Sequence, residues 1–528
     1  MKVAVVDCLA TGGLGKKFSS VDVIGAGPRL VTGIIKSLGV ECELMECETV
    51  LTCSSDPFKG FDVLMVSGMS SDVRSMAMVL GRWGSRGFSF AGGPASVEGE
   101  ELLELGFTGV VWGEAEISLP ILIRELDSGD LHRVPNLIFK DRERTVSNIV
   151  ECYATEPILW SFEPDTESIR KYRYFWASRV YVEVVRGCSN FYRTSLPILS
   201  PKPVQCDGCN TCRFGHLRGR LACHLGIPPG CGYCLVPRLY GPARSRPVSK
   251  IVSEIEKLID IGVMRVVLSA PDILDYGRDW LVRPEPLTDP RNPPANLDAL
   301  ETLLSEIYSI PKVSRRDIYV MVENVKPNLV TEEVAKLLGR YLKGTTVNLG
   351  LESGDAEHHV RLGRPSRVEE VLRAAKLLRE AGLRPYVYAI YGLPGENWRT
   401  VRRTIKTLKK SSKLGAERVI LYRFRPLKGS AFEGYEPPSP KDPKAVALKE
   451  FVKKLEAAFK GNLLGKTIKV AVVDSYRRGE YIGYTLPHGP VAVIKSGTDL
   501  RGKVVEVVVR DVKERYVICS PVGGDSTI

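Results

Sequence analysis

The chain has 528 residues, 44% hydrophobic and 26% charged, with a formal net charge of +12. At ~100 to 200 residues per domain, roughly three or four folding units are expected, each large enough to bury a core. No apolar run approaches the ~20 residues that cross a bilayer, and Met1 leads straight into a strand pattern rather than a signal peptide, so the reading excludes a membrane partner and expects a cytoplasmic protein.

From 1 to 150, the short apolar runs KVAVVD, FDVLMVSG, FSFAGG and GVVWG alternate with helical patterns. This predicts a doubly wound α/β domain with its ligand site at the strand ends, around Thr11 to Gly15, Ser67 to Ser71 and Gly92 to Ser96. The segment GAGPRLVTG reads as a turn. A linker, SFEPDTESIRKYRYFW, follows. Residues 180 to 435 alternate again, with strand candidates VYVEVV, RVVLSA, IYVMVE, TVNLGL, YVYAIY and RVILYRF. They predict a partial parallel β/α barrel whose site lies at the C-terminal strand ends, where Cys188, Ser269, Glu323, Glu352 and Tyr391 fall. The Pro-rich RPEPLTDPRNPPANLD reads as an ordered loop or lid. Residues 464 to 522 hold five short strand patterns separated by Gly, Asp and Pro, which predicts a small β-barrel of the OB type.

Thirteen cysteines suit a reducing compartment better than a disulfide scaffold. Cys8, Cys42, Cys47, Cys53, Cys152 and Cys519 have no ligand spacing and read as core residues or inert thiols. Cys188, in EVVRGCSN, and the pair Cys231-Gly-Tyr-Cys234 read as one iron-sulfur motif whose first gap is opened by residues 189 to 230. A cluster constrains its ligands in space rather than in sequence, so a loop that returns to its origin can lengthen the gap. Three thiolates would leave one iron of a cubane free. The insertion, 190 to 229, carries Cys206, Cys209, Cys212 and Cys223, with His216 and His224 near. A short segment rich in Gly, Pro and Arg has little apolar surface, so a bound metal is what would order it. A second 4Fe-4S cluster is favoured over zinc, and the two histidines read as surface residues.

The phrases VVRGCSN, GCGYCLVPRLYGPARSRP, VVLSAPDILDYGRD, LGLESGDAEHHVRLGR and YAIYGLPGENWRTV, in that order, resemble the radical S-adenosylmethionine (SAM) superfamily. Within it, Val236-Pro237 followed by Ser245-Arg246-Pro247 is similar to the RNA methylthiotransferases. The likeness runs from about Tyr181 to the C-terminus, outside the insertion. It implies that Cys188, Cys231 and Cys234 hold the catalytic 4Fe-4S cluster, that SAM chelates the open iron, and that an electron from a donor such as ferredoxin or flavodoxin cleaves SAM to a deoxyadenosyl radical. It also places Tyr233 by the adenine, Glu352 and Ser353 against the amino acid or ribose portion, and the turn containing Gly392 and Pro394 along the adenine, with Ser269 a further cofactor contact. The last domain resembles the TRAM domain. That implies RNA, with Lys466, Lys469, Arg477, Arg478, Lys495 and Arg501 as phosphate contacts and Tyr484 as a stacking surface. GGPAS followed by GFTGVVWGEAE resembles a cobalamin-binding domain, although no histidine precedes His132 to serve as a lower cobalt ligand, so cobalamin stays open. The resulting expectation is an enzyme that attaches a methylthio or methyl group to an unreactive carbon of RNA, tRNA foremost. A protein or small-molecule substrate, and a nonenzymatic RNA-binding iron-sulfur protein, are the alternatives.

Overall fold

The computed structural model describes residues 1–17, 21–150 and 153–522, so Cys152 lies outside the described residues. In the first domain the strands Glu41–Glu46, Lys2–Asp7, Val63–Ser67, Phe88–Gly92 and Gly109–Val111 lie side by side in that order, all parallel. Leu137–Asp141 and Arg144–Ser147 extend the far edge antiparallel. Helices cover both faces, which is why the consecutive residues Val3 to Val6 are all buried and the strand reads as an unbroken apolar run. The edge strand Glu41–Glu46, spelled ECELME, escaped the sequence reading because its three glutamates mask the apolar alternation.

The GAGPRLVTG segment is a correction. It opens the helix Ala26–Ser37, with Pro28 in the first turn, where a missing N–H costs nothing. Just before it, Val23–Ile24 leaves the first sheet and pairs with Arg179–Glu183, adding an edge strand to the second domain.

That second domain contains the parallel strands Arg179–Glu183, Arg265–Ser269, Tyr319–Val322, Thr346–Glu352, Arg384–Tyr391 and Arg418–Arg423. A bridge from Asn324 to Asn348 joins the two halves into a partial barrel. Buried ion pairs fasten it to the first domain: Arg186 Nη1 lies 2.7 Å from Glu116 Oε1, and Arg244 Nη2 lies 2.6 Å from Glu114 Oε1.

The C-terminal strands Thr467–Arg477, Glu480–Leu486, Val491–Lys495, Tyr516–Pro521 and Val504–Val512 close into a barrel in that order. It docks beneath the catalytic barrel, at the N-terminal strand ends. Tyr484 and Leu486 pack against Ala177, Met264 and Tyr319, and Arg384 Nη1 donates to the His488 carbonyl at 2.8 Å. The linker is a strap rather than a free connection: Tyr172 is buried and its hydroxyl donates to Asp7 at 3.1 Å, while Tyr174 donates to Asp474 of the small barrel. Among the described residues, no helix is long and apolar enough to cross a membrane.

Candidate active site

Cys188, Cys231 and Cys234 converge at the C-terminal end of the barrel. The Cys188 N–H donates to Gly241 O at 3.0 Å, and Gly187, at φ +78°, brings the backbone so close to Pro242 O that a Cβ would sit 2.1 Å from it. Only glycine fits that approach. On the far side of the insertion, the Cys234 N–H donates to Cys231 O at 2.8 Å, which closes the tight turn between those two cysteines. Asn190 joins the two sides: its N–H lies 3.4 Å from Cys188 Sγ, and its Nδ2 lies 3.3 Å from Cys231 Sγ. Burial raises the pKa of Cys188, with Lys326 opposing and Asp275 adding to the rise, and burial followed by the neighbouring Cys231 pushes Cys234 up to about 12. A free thiolate would therefore be costly here, whereas a metal-bound one is neutralised. With Arg364 Nη1 at 3.4 Å from Cys231 and Val236 N–H at 3.5 Å from Cys234, four N–H groups face sulfur. Three converging thiols ringed by donors fit an anionic cluster.

Arg364 is the organising side chain that sequence reasoning missed. Its Nη1 donates to the Tyr233 hydroxyl at 3.0 Å, its Nη2 to Gly350 O at 2.9 Å, and it lies 3.6 Å from Glu352. Its Nε is buried without a partner. Glu352 adopts a left-handed φ of +59° at a register shift in its strand, a conformation costing of order 1–3 kcal/mol that tends to mark functional sites. Burial raises its pKa, and Arg364 opposes that rise. Ser353 is linked to the Gly392–Gly395 turn through buried His358, whose Nε2 donates to Pro394 O at 2.7 Å, leaving Nδ1 to accept from the Ser353 hydroxyl at 3.0 Å. Gly392 itself has φ +78°, and a Cβ there would lie 2.1 Å from Pro438. Its N–H donates to Glu396 at 3.0 Å, and burial pushes Glu396 up to about 7. Ser269 ends its strand on the same rim, and Glu323 accepts from Tyr181 at 3.2 Å. Cationic, anionic and aromatic groups thus adjoin the thiols, a donor set that fits the charged and adenine portions of SAM.

The insertion borders a half-open cavity of about 740 Å³, lined by Cys206, Cys209, Cys212 and Cys223 together. His216 and His224 are both exposed. His224 Nε2 lies 2.9 Å from Asp207, and the ligand atoms of Asp207, Cys209 and His224 lie within 4.8 Å of one another. Cys206 and Cys223 pack against the apolar group that contains Leu393 and Tyr233, so the insertion abuts the active-site wall.

In the first domain, the strand-end cleft has a volume of only about 50 Å³ and is lined by apolar residues such as Val5, Met65, Phe90 and Val111, with Gly92 and Gly93 at its lip. The N–H groups of Ala10, Gly12 and Met69 are already taken by the buried Asp72 carboxylate. Val97 and Trp112 meet Leu235 and Leu239 across the domain boundary. The sheet order, the glycine lip and the apolar cleft fit an apolar group at the strand ends. Among the described residues, the lining of this cleft holds no histidine or cysteine to ligate cobalt.

On the small barrel, Lys466, Lys469, Arg477, Arg478, Lys495 and Arg501 are exposed, with Arg501 paired to Asp499 at 2.6 Å. Tyr484 is a correction: it is 8% exposed beneath Arg265, which lies 5.4 Å from its ring centre, so it anchors the docking contact and presents no face to a base. The exposed aromatic on this barrel is Tyr476, with Arg477 over its ring.

Residues 222–408 match the radical SAM superfamily. An uncharacterized protein of Methanopyrus kandleri is 40% identical, over 98% of this chain and 96% of its own length. The tRNA-2-methylthio-N(6)-dimethylallyladenosine synthase of Aquifex aeolicus is 24% identical over 54% of this chain and 61% of its own. Among solved structures, the radical SAM methyltransferase TsrM of Kitasatospora setae, with cobalamin and a 4Fe-4S cluster bound, superposes with a TM-score of 0.56 over 81% of this chain and 74% of that one. At 15% identity this is a likeness of fold. With three thiols converging at the barrel's C-terminal face and a cobalamin-binding-like sheet packed beside them, this chain is an enzyme of the radical SAM superfamily, related to the methylthiotransferases.

Proposed function

We propose that this enzyme attaches a methyl or methylthio group to an unreactive carbon of RNA, tRNA foremost. The convergence of Cys188, Cys231 and Cys234 beside the Tyr233–Arg364–Glu352 group carries the reading of radical chemistry. The tRNA-modifying relative supports RNA. When bound, the cluster and SAM supply a deoxyadenosyl radical after one electron arrives from a donor such as ferredoxin or flavodoxin. The protein's part is placement and charge. Asn190 and Arg364 offset negative charge on sulfur, Arg364 holds Tyr233 and Glu352 together, and His358 fixes Ser353 to the Pro394 turn. The four insertion cysteines are proposed to hold a second 4Fe-4S cluster, with a zinc site the competing occupant.

Two features favour different groups for transfer. The fold shared with a cobalamin-bound methyltransferase favours methyl, and the methylthiotransferase relative favours methylthio. Nucleoside mass spectrometry of RNA from a deletion strain tests the reading, because the mass lost separates methyl from methylthio. RNA with an unchanged nucleoside profile would overturn RNA as the substrate.

A further inference from the structure

One helix of this chain is charged with a single sign along its exposed face. Trp398–Lys413 carries Arg399, Arg402, Arg403, Lys406, Lys409, Lys410 and Lys413, with no acidic residue. All seven are exposed, while Thr400, Val401, Thr404, Thr407 and Leu408 face the barrel. Only Arg399 and Arg403 have acidic partners within reach, at Glu357 and Asp355. The other five cations have no ion pair among the described residues.

An ordinary solvated helix face mixes signs, and its neighbours do so. Val368–Glu380 sets Glu369, Glu370 and Glu380 against Arg373, Lys376 and Arg379, and Glu332–Leu342 sets Glu332 and Glu333 against Lys336 and Arg340. Like charges at i,i+4 repel by a few tenths of a kcal/mol per pair, so a one-signed stripe is a standing cost that a polyanion would remove. The position of the helix is as specific as its charge. Its N-terminus begins three residues beyond the Gly392–Gly395 turn, and there Trp398 is 46% exposed. Just past its other end, Glu417 pairs with Arg384 at 2.5 Å, and Arg384 in turn donates to His488 of the small barrel. At ~1.5 Å per residue the helix spans about 24 Å, from the active-site rim to the barrel base.

We infer that the Trp398–Lys413 helix is the track along which an RNA strand runs down the flank of the catalytic barrel, linking the active-site rim to the C-terminal barrel docked at the opposite end. The inference rests on the reading of RNA as substrate. It supplies what the fold otherwise leaves open, since a strand held only on the small barrel would lie at the wrong end of the catalytic strands. Arg402, Lys406 and Lys409 contact phosphates, and Trp398 offers a face to an unpaired base at the rim.

The test measures binding of bulk tRNA and of an oligouridylate to the full-length, cluster-loaded protein over a salt series. Each phosphate contact adds ~0.7 to ~0.9 to the slope of log affinity against log salt. The triple variant Arg402→Gln, Lys406→Gln, Lys409→Gln is therefore expected to lose about 2 from that slope and ~10-fold or more in affinity. A control variant, Lys336→Gln with Lys376→Gln, removes paired cations elsewhere and should leave the slope alone. Trp398→Ala should weaken oligouridylate binding ~10-fold without changing the slope, because stacking releases no counterions. Parental slope and affinity in the triple variant would overturn the track while leaving RNA as substrate intact. Loss of affinity for an acidic ferredoxin with RNA binding retained would reassign the stripe to the electron donor. A parental protein that binds neither RNA would sink the substrate reading and this inference with it.

Discussion

Asn190 sets its side-chain nitrogen 3.3 Å from the sulfur of Cys231, a residue 41 positions away in sequence. Its own N–H faces Cys188, and its Nδ2 also donates to Gly363 O at 3.0 Å. One residue thus fixes both edges of the opened cysteine motif and ties them to the segment that carries Arg364. Donors to cluster sulfurs stabilise the reduced, more negative state.

Replacing Asn190 by alanine should therefore leave a cluster that assembles but is harder to reduce. For a bond contributing ~0.5–1.5 kcal/mol, the one-electron midpoint potential should fall by ~20 to 60 mV. An anaerobic redox titration followed by electron paramagnetic resonance reads this directly, and an unchanged potential would remove Asn190 from the cluster environment.

The seven ligand cysteines should divide three and four. Anaerobic reconstitution is expected to approach two cubanes, and Cys206→Ala with Cys209→Ala should remove about half of the iron and sulfide. Cys231→Ala should abolish 5'-deoxyadenosine formation while leaving RNA affinity nearly intact. Zinc in the purified protein alongside a single cubane would decide against a second cluster, and parental SAM cleavage by Cys231→Ala would show that the catalytic ligands lie elsewhere.

The docked small barrel predicts that Tyr484→Ala destabilises the protein by ~3 kcal/mol, the usual range for truncating a buried aromatic. Deleting residues 464 to 522 should do so more severely, since it uncovers Ala177, Met264 and Tyr319. Denaturant melts of both proteins check this. If the deletion leaves the midpoint unchanged, the packed interface contributes nothing in solution.

Glu396 gives the fold a pH dependence of defined sign. Its pKa rises from 4.5 to about 7 on folding because burial disfavours the carboxylate, only partly offset by the Gly392 N–H. The stability associated with this group is fully present below the unfolded value and is lost as pH rises through about 7. Stability should thus decline between pH 5 and pH 8 by up to ~3 kcal/mol, and Glu396→Gln should flatten that decline. Urea unfolding of both proteins at the two pH values tests it. An equal decline in Glu396→Gln would assign the dependence to another group.

Much of the architecture was written locally. The apolar runs of the first sheet, the strand–helix alternation of the barrel and the five short strands of the last domain are periodic patterns that a chain shows before it folds. The cysteine pair, GLESGD and the GLPGE turn are likewise contiguous phrases. The tertiary structure decided what depends on distant residues meeting. Asn190, His358 and Arg364 sit inside the family-like phrases with no spacing that marks a role, and their roles exist only because loops from separate strands end on one rim. Tyr484 could not be assigned from its strand, because period-two alternation says which side chains share a face and not which face another domain will cover. The seven cations of the Trp398–Lys413 helix were visible as letters, but their meaning depends on geometry: folding places all of them in solvent, gives acidic partners to two, and points the helix from the rim to the base. Local order follows from covalent geometry and side-chain polarity, whereas long-range pairing and charge neutralisation are fixed only when the whole chain has packed.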